Sequence, residues 1–119
     1  MIKRLTVPIY GRPIIFADTR SDALTASRRL KRCEEGSEDD FDCYGLTDEN
    51  RGVILMFVDT ERKHPGGEMA TVVHECVHAA GKVLGYVGVE YGPENDEQLA
   101  YLVDWIFTQW NRRMGHEIS

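Results

Sequence analysis

The sequence predicts an α+β domain, with a small mixed β-sheet of about three strands, two core helices and one further helix. Three observations predict it. Val53-Ile54-Leu55-Met56-Phe57-Val58 is an unbroken apolar run of strand length, the pattern of a strand covered on both faces. Residues 68–84 and 94–111 repeat apolar side chains at helical spacing. Residues 2–9 and 13–17 read as two strands parted by the turn signal Tyr10-Gly11-Arg12-Pro13. At 119 residues the chain is the size of one domain spanning 1–119.

The elements follow in order. Residues 2–9 mix β-branched and polar side chains, and Pro8 points to a sheet edge because proline cannot donate to a ladder. Pro13-Ile14-Ile15-Phe16-Ala17 is the second arm of an opening hairpin. Ser21 caps a helix over about 22–34, with Ala23, Ala26, Leu30 and Cys33 on its apolar side. Arg28, Arg29, Lys31 and Arg32 surround that side and read as a solvated face. Residues 34–42 are acidic and helix-breaking, an exposed loop; Asp39, Asp40 and Asp42 lack the spacing of a calcium loop. After the strand at 53–58, Lys63-His64-Pro65-Gly66-Gly67 breaks the chain. The helix at 68–84 buries Met69, Val72, Val73, Cys76, Ala80, Val83 and Leu84. Gly85, Gly88 and Gly92 mark a loop, and Pro93 introduces the last helix with its stripe of Leu99, Leu102, Val103, Ile106 and Trp110.

Composition narrows the function. No run of 18 apolar residues is present, so no transmembrane helix is expected. The start Met1-Ile2-Lys3-Arg4-Leu5 leads into an alternating pattern and not into the apolar core of a signal peptide, so a cytoplasmic protein is expected. A net charge of -6 argues against nucleic acid as a direct ligand. Cys33, Cys43 and Cys76 form no disulfide framework and read as reduced thiols, with a Cys33–Cys43 pair left open.

The chemistry lies in His74-Glu75-Cys76-Val77-His78, an HExxH pattern inside the strongest amphipathic helix. Residues i and i+4 share a helical face about 5–6 Å apart at Cβ. Two imidazoles there can converge on one zinc ion at about 2.0–2.1 Å. Here they border the buried stripe, where they can face a neighbouring element. Glu75 lies beside that face and can reach a water without being a ligand. Cys76, two positions from each histidine, points away as a small buried hydrophobe.

A catalytic zinc site needs a third protein ligand. The HExxHxxGxxH route is closed, because Gly81 fits but Leu84 stands at the final histidine position. The other route is a carboxylate on the following helix, from Glu94, Asp96 or Glu97. Acids in a first turn are favoured by the helix dipole alone, and Glu94 and Asp96 are read that way. Glu97 shares a face with the small Ala100 and with Tyr101 and Asp104, so it is the candidate ligand.

Ala70-Thr71-Val72-Val73-His74-Glu75-Cys76-Val77-His78, followed by Glu97-Gln98-Leu99-Ala100-Tyr101, resembles the gluzincin zinc metallopeptidases. The likeness is strongest to minimal single-domain members and to small peptidase-like proteins of tailed phages, over about residues 45–110. It implies a zincin-like fold, with the sheet packed on the HExxH helix and a C-terminal helix carrying the third ligand. It also implies one Zn²⁺ per chain held by His74, His78 and Glu97, and Glu75 as the catalytic base. The strand at 53–58 would border the substrate cleft and pair with an extended peptide. The sequence departs from the family at Tyr101, where many members carry an Asp that orients a ligand histidine; Asp104 lies one turn later.

The expected function is therefore zinc-dependent hydrolysis of a peptide or protein substrate, in the host cytoplasm if the protein is phage-encoded. The alternative is a catalytically weak or inactive zincin-fold protein that binds a partner. Oxyanion candidates are His64, Tyr86, Tyr91 and Tyr101. Trp105 and Trp110 are expected to pack in the core.

Overall fold

The apolar run at 53–58 is the strand around which the sheet is built. The computed structural model describes residues 1–90 and 92–115. Its strands are β1 (Ile2–Thr6), β2 (Pro13–Ala17), β3 (Gly45–Asn50) and β4 (Val53–Val58). Its helices are α1 (Arg20–Lys31), α2 (Glu68–Tyr86) and α3 (Asp96–Arg113), with 3₁₀ turns at Glu38–Phe41 and Pro93–Asn95. The sheet is mixed, in the order β1-β2-β4-β3. β1 runs antiparallel to β2, β2 parallel to β4, and β4 antiparallel to β3.

Alternation along β4 divides the molecule into two cores. Ile54, Met56 and Val58 face a core shared with α2 and α3, where Phe16 meets Trp110 edge-on at 5.1 Å. Leu55 and Phe57 face a second core with Ala23 and Ala26 of α1 and with Phe41. The Phe41 ring packs edge-on against Phe57 at 5.7 Å. The acidic segment is exposed as expected over residues 34–40, and Phe41 pins it to the sheet. Arg28 reinforces it, donating to the Glu35 carbonyl at 3.2 Å and the Gly36 carbonyl at 2.8 Å.

Several boundaries and faces differ from the sequence expectation. Thr19, not Ser21, caps α1, its hydroxyl accepting from the Asp22 amide at 3.1 Å. β3 is a fourth strand where none was expected. It is joined to β4 by Arg51-Gly52, both in the left-handed region with φ of 52° and 82°. Such a pair closes a tight two-residue hairpin whose twist matches the strands. Gly52 is required twice over, since a Cβ there would also stand 2.6 Å from the Arg12 guanidinium and from the Tyr86 ring. On α2 the buried stripe is narrower than expected. Val72, Cys76, Ala80, Val83 and Leu84 are buried, whereas Met69 and Val73 are exposed together with Val77. By helical angle Met69 and Val73 lie on the same side as the buried Cys76, Ala80 and Leu84, so their place in the N-terminal half of α2, and not their angle, leaves them uncovered. All three cysteines are free thiols, Cys33 and Cys43 included. No helix among the described residues is long and apolar enough to cross a membrane.

Trp110 is fully buried against Phe16. Trp110→Ala is expected to lower unfolding free energy by about 3–5 kcal/mol, read from urea denaturation curves.

Candidate active site

Helix α2 is fixed before it reaches the histidines. His64 is buried in the connection from β4. Its Nε2–H donates to the Asp59 carbonyl at 2.7 Å. That bond sets the tautomer, so Nδ1 accepts from the Thr71 hydroxyl at 2.8 Å. One imidazole thereby ties the end of β4 to the first turn of α2. With both nitrogens committed, His64 is a structural clip and not an oxyanion donor.

Beyond the clip, the helix presents His74 and His78 together. Their Nε2 atoms lie 3.1 Å apart and their rings meet edge-on with centroids 4.7 Å apart. Both residues are exposed, on the side of α2 turned away from the core, where a position facing a neighbouring element was expected. Two nitrogens on one tetrahedral zinc stand roughly 3.3 Å apart, so the pair matches two ligands of a single ion. Without a cation between them, one Nε2–H donates to the other nitrogen. Among the described residues neither Nδ1 has a hydrogen-bond partner, so Asp104 does not orient either ring.

Glu97 sits in the first turn of α3 and is exposed. It makes no ion pair among the described residues. No group of three His, Cys, Asp or Glu side chains among the described residues gathers closely enough to hold a metal. The structure brings the two histidines together and leaves Glu97 apart from them. The first turn of α3 has no side-chain cap, and the Asn95 that precedes it donates its backbone N–H to the Gly92 carbonyl at 3.0 Å and its side-chain amide to the Glu90 carbonyl.

Glu75 is only 5% exposed, between α2 and β3. The Thr47 hydroxyl donates to its Oε1 at 2.7 Å. Gly45, two residues earlier on the same face of β3, leaves space for the carboxylate. A Cβ at Gly45 would stand 2.9 Å from Glu75 Cγ, 3.0 Å from its Oε2 and 3.0 Å from the Phe57 carbonyl oxygen. Gly45 and Thr47 were not foreseen as site residues. Residues 45–50 carry no apolar alternation that would have marked them as a strand, and it is pairing with β4 that turns Gly45 and Thr47 toward α2.

A cleft of about 420 Å³ opens beside this carboxylate. Cys43, Tyr44 and Gly45 form one wall, and Ala70, Thr71, His74 and Glu75 the other. Tyr44 is braced by the His64 ring at 5.3 Å and by the Arg62 guanidinium at 5.4 Å. A separate cavity of about 360 Å³ lies on the opposite face of the sheet, under α1, and contains neither histidine nor Glu75.

The strand beside the cleft is β3. β4 is interior, paired on both sides, so it cannot accept a peptide as the sequence suggested. In the β3–β4 ladder the Asp59 amide donates to the Tyr44 carbonyl. By the alternation of an antiparallel pair, the backbone groups of Gly45, Thr47 and Glu49 turn to the free edge. The Glu49 amide is taken by Asp48 Oδ1 at 2.8 Å. Among the described residues Thr47 keeps both N–H and C=O open, beside the carboxylate its side chain holds.

The other oxyanion candidates are not gathered at the site. Tyr86 lies under the Arg12 guanidinium at 4.7 Å, by the hairpin turn. Tyr101 is exposed on α3, and Tyr91 lies outside the described residues. Trp105 is partly buried against the core that contains Trp110. Cys43 and Cys76 are poorly suited as nucleophiles. Burial, with the nearby Glu75 charge, pushes the Cys76 thiol up to about 12. Burial followed by Glu75 also raises Cys43.

No family model matches the chain, and no curated protein or solved structure matches it.

Gly45→Ala is expected to force the carboxylate off β3 and to cost about 1–3 kcal/mol of stability, measured by chemical denaturation beside a crystal structure of the variant. Iodoacetamide is expected to label Cys33 and Cys43 in the folded protein and Cys76 only after denaturation, as read by intact-protein mass spectrometry.

Proposed function

We propose that the chain is a zinc-dependent peptidase of gluzincin type, with a zincin-like arrangement of α2, α3 and the sheet. The observation that carries this reading is the convergence of the His74 and His78 Nε2 atoms at 3.1 Å, with a buried glutamate between them in sequence and a cleft beside it. A purely structural ion has no need of Glu75. In this reading His74, His78 and Glu97 hold one Zn²⁺, which requires Glu97 to come to the pair from its place in the first turn of α3.

A zinc ion supplies Lewis acidity, which polarises a carbonyl and makes water acidic near neutral pH. The chain's own residues do the rest. An extended peptide adds to the free edge of β3, hydrogen-bonded to the Thr47 N–H and C=O. That pairing lays its backbone along the cleft between Tyr44 and Ala70. Glu75 Oε1 is occupied by the Thr47 hydroxyl, so Oε2, over Gly45, takes the proton from the attacking water. The same oxygen returns the proton to the leaving amine.

A second reading is a zincin-fold binding protein without turnover. It is favoured by the exposed apolar line Met69, Val73 and Val77, one helical turn apart on α2 and adjoining the histidine face.

Elemental mass spectrometry on purified protein is expected to find about one zinc per chain, lost in His74→Ala and His78→Ala and weakened in Glu97→Ala. Glu75→Gln is expected to keep the metal and lose about 10²–10⁴-fold in peptide hydrolysis, followed with a quenched fluorescent peptide library. Absence of metal after reconstitution with zinc would refute the peptidase reading. Metal bound equally by wild type and Glu75→Gln, with no turnover by either, would favour the binding protein.

A further inference from the structure

We propose that Thr47 is the positioning residue of this site: its hydroxyl holds the Glu75 carboxylate against β3 with Oε2 over Gly45, so that one oxygen is engaged and the other is left to accept a proton. The inference rests on the reading of Glu75 as the base. A carboxylate this buried needs a donor, because water can no longer solvate it freely. Among the described residues, that donor is the Thr47 hydroxyl at 2.7 Å. The same oxygen is 3.3 Å from the Glu75 carbonyl, and its single hydrogen serves the shorter contact.

Placement follows from strand register. Thr47 is paired with Met56 and Gly45 with Val58, so both turn toward α2. One supplies the hydrogen bond and the other the empty space. Without the hydroxyl, the carboxylate has no partner on β3 and turns toward water in the cleft. The ladder groups of Thr47 belong to its backbone, so changing its side chain separates base placement from peptide pairing.

The test compares zinc-loaded full-length wild type with Thr47→Val and Thr47→Ser. Valine keeps the branched shape a strand favours and removes the donor. Thr47→Val is expected to lower kcat about tenfold, the kinetic equivalent of about 1.4 kcal/mol, with KM within about twofold of wild type. Thr47→Ser is expected to recover most of kcat. Crystal structures of the three proteins are expected to show Glu75 Oε1 on the residue-47 hydroxyl in wild type and in Thr47→Ser, and the carboxylate swung away in Thr47→Val. Wild-type kcat in Thr47→Val, a serine variant as slow as the valine variant, or an unmoved Glu75 in Thr47→Val would each overturn the proposal. If wild type cleaves no peptide, the peptidase reading fails by itself, and the position of Glu75 in Thr47→Val still decides the role of Thr47.

Discussion

A two-residue hairpin turn sets the register on which the site depends. Arg51 and Gly52 both take left-handed backbone conformations, and this lets β3 fold back on β4 with Asn50 opposite Val53. Side chains on a strand alternate with a period of two. A slip of one residue would carry Gly45 and Thr47 to the α1 face and bring Leu46 and Asp48 against Glu75. The first exchange would put bulk where the carboxylate needs space, and the second would set one acid against another. Tyr86 and Arg12 stack over the turn and leave no room for a side chain at Gly52, so distant elements help to hold the register.

The opposite wall of the cleft is held separately. His64 joins the Asp59 carbonyl to the Thr71 hydroxyl, fixing the start of α2 relative to the end of β4. β3 and α2 are thus both referred to the same interior strand. The distance between Thr47 and Glu75, 28 positions apart in sequence, is consequently set by two local devices. Neither device touches the His74–His78 pair, which depends only on the helical repeat and faces outward from α2.

The sequence is most legible where one physical signal dominates. β4 and the two long helices declare themselves because a continuous or periodic apolar pattern arises from burial on two faces or on one, and from little else. The opening hairpin is legible from its turn residues. β3 is not, since Gly45, Asp48, Glu49 and Asn50 are types depleted in strands. It pairs because its neighbour is the strongest strand in the chain and the turn permits it. Phe41 is hidden among acids, and the pull of one aromatic ring into a core outweighs the local polarity around it. At the site, HExxH fixes the histidine spacing because that is a property of one helix. The burial of Glu75 and the identity of its partner are not legible, because they come from contacts between elements. The exposure of Met69 and Val73 escapes the pattern for a related reason: apolar spacing shows which residues share a face but not how much of that face the sheet covers.

Both edges of the sheet carry features that oppose uncontrolled growth. At β3 the Glu49 amide is closed by Asp48, which shortens the run of open backbone groups on that edge. At β1 the exposed Lys3 and Arg4 set like charges against any second copy. Four strands with two open sides would ordinarily be a template for fibrils. Here one side is charged and the other partly closed, and both features work against a second copy of the chain adding a strand at either edge.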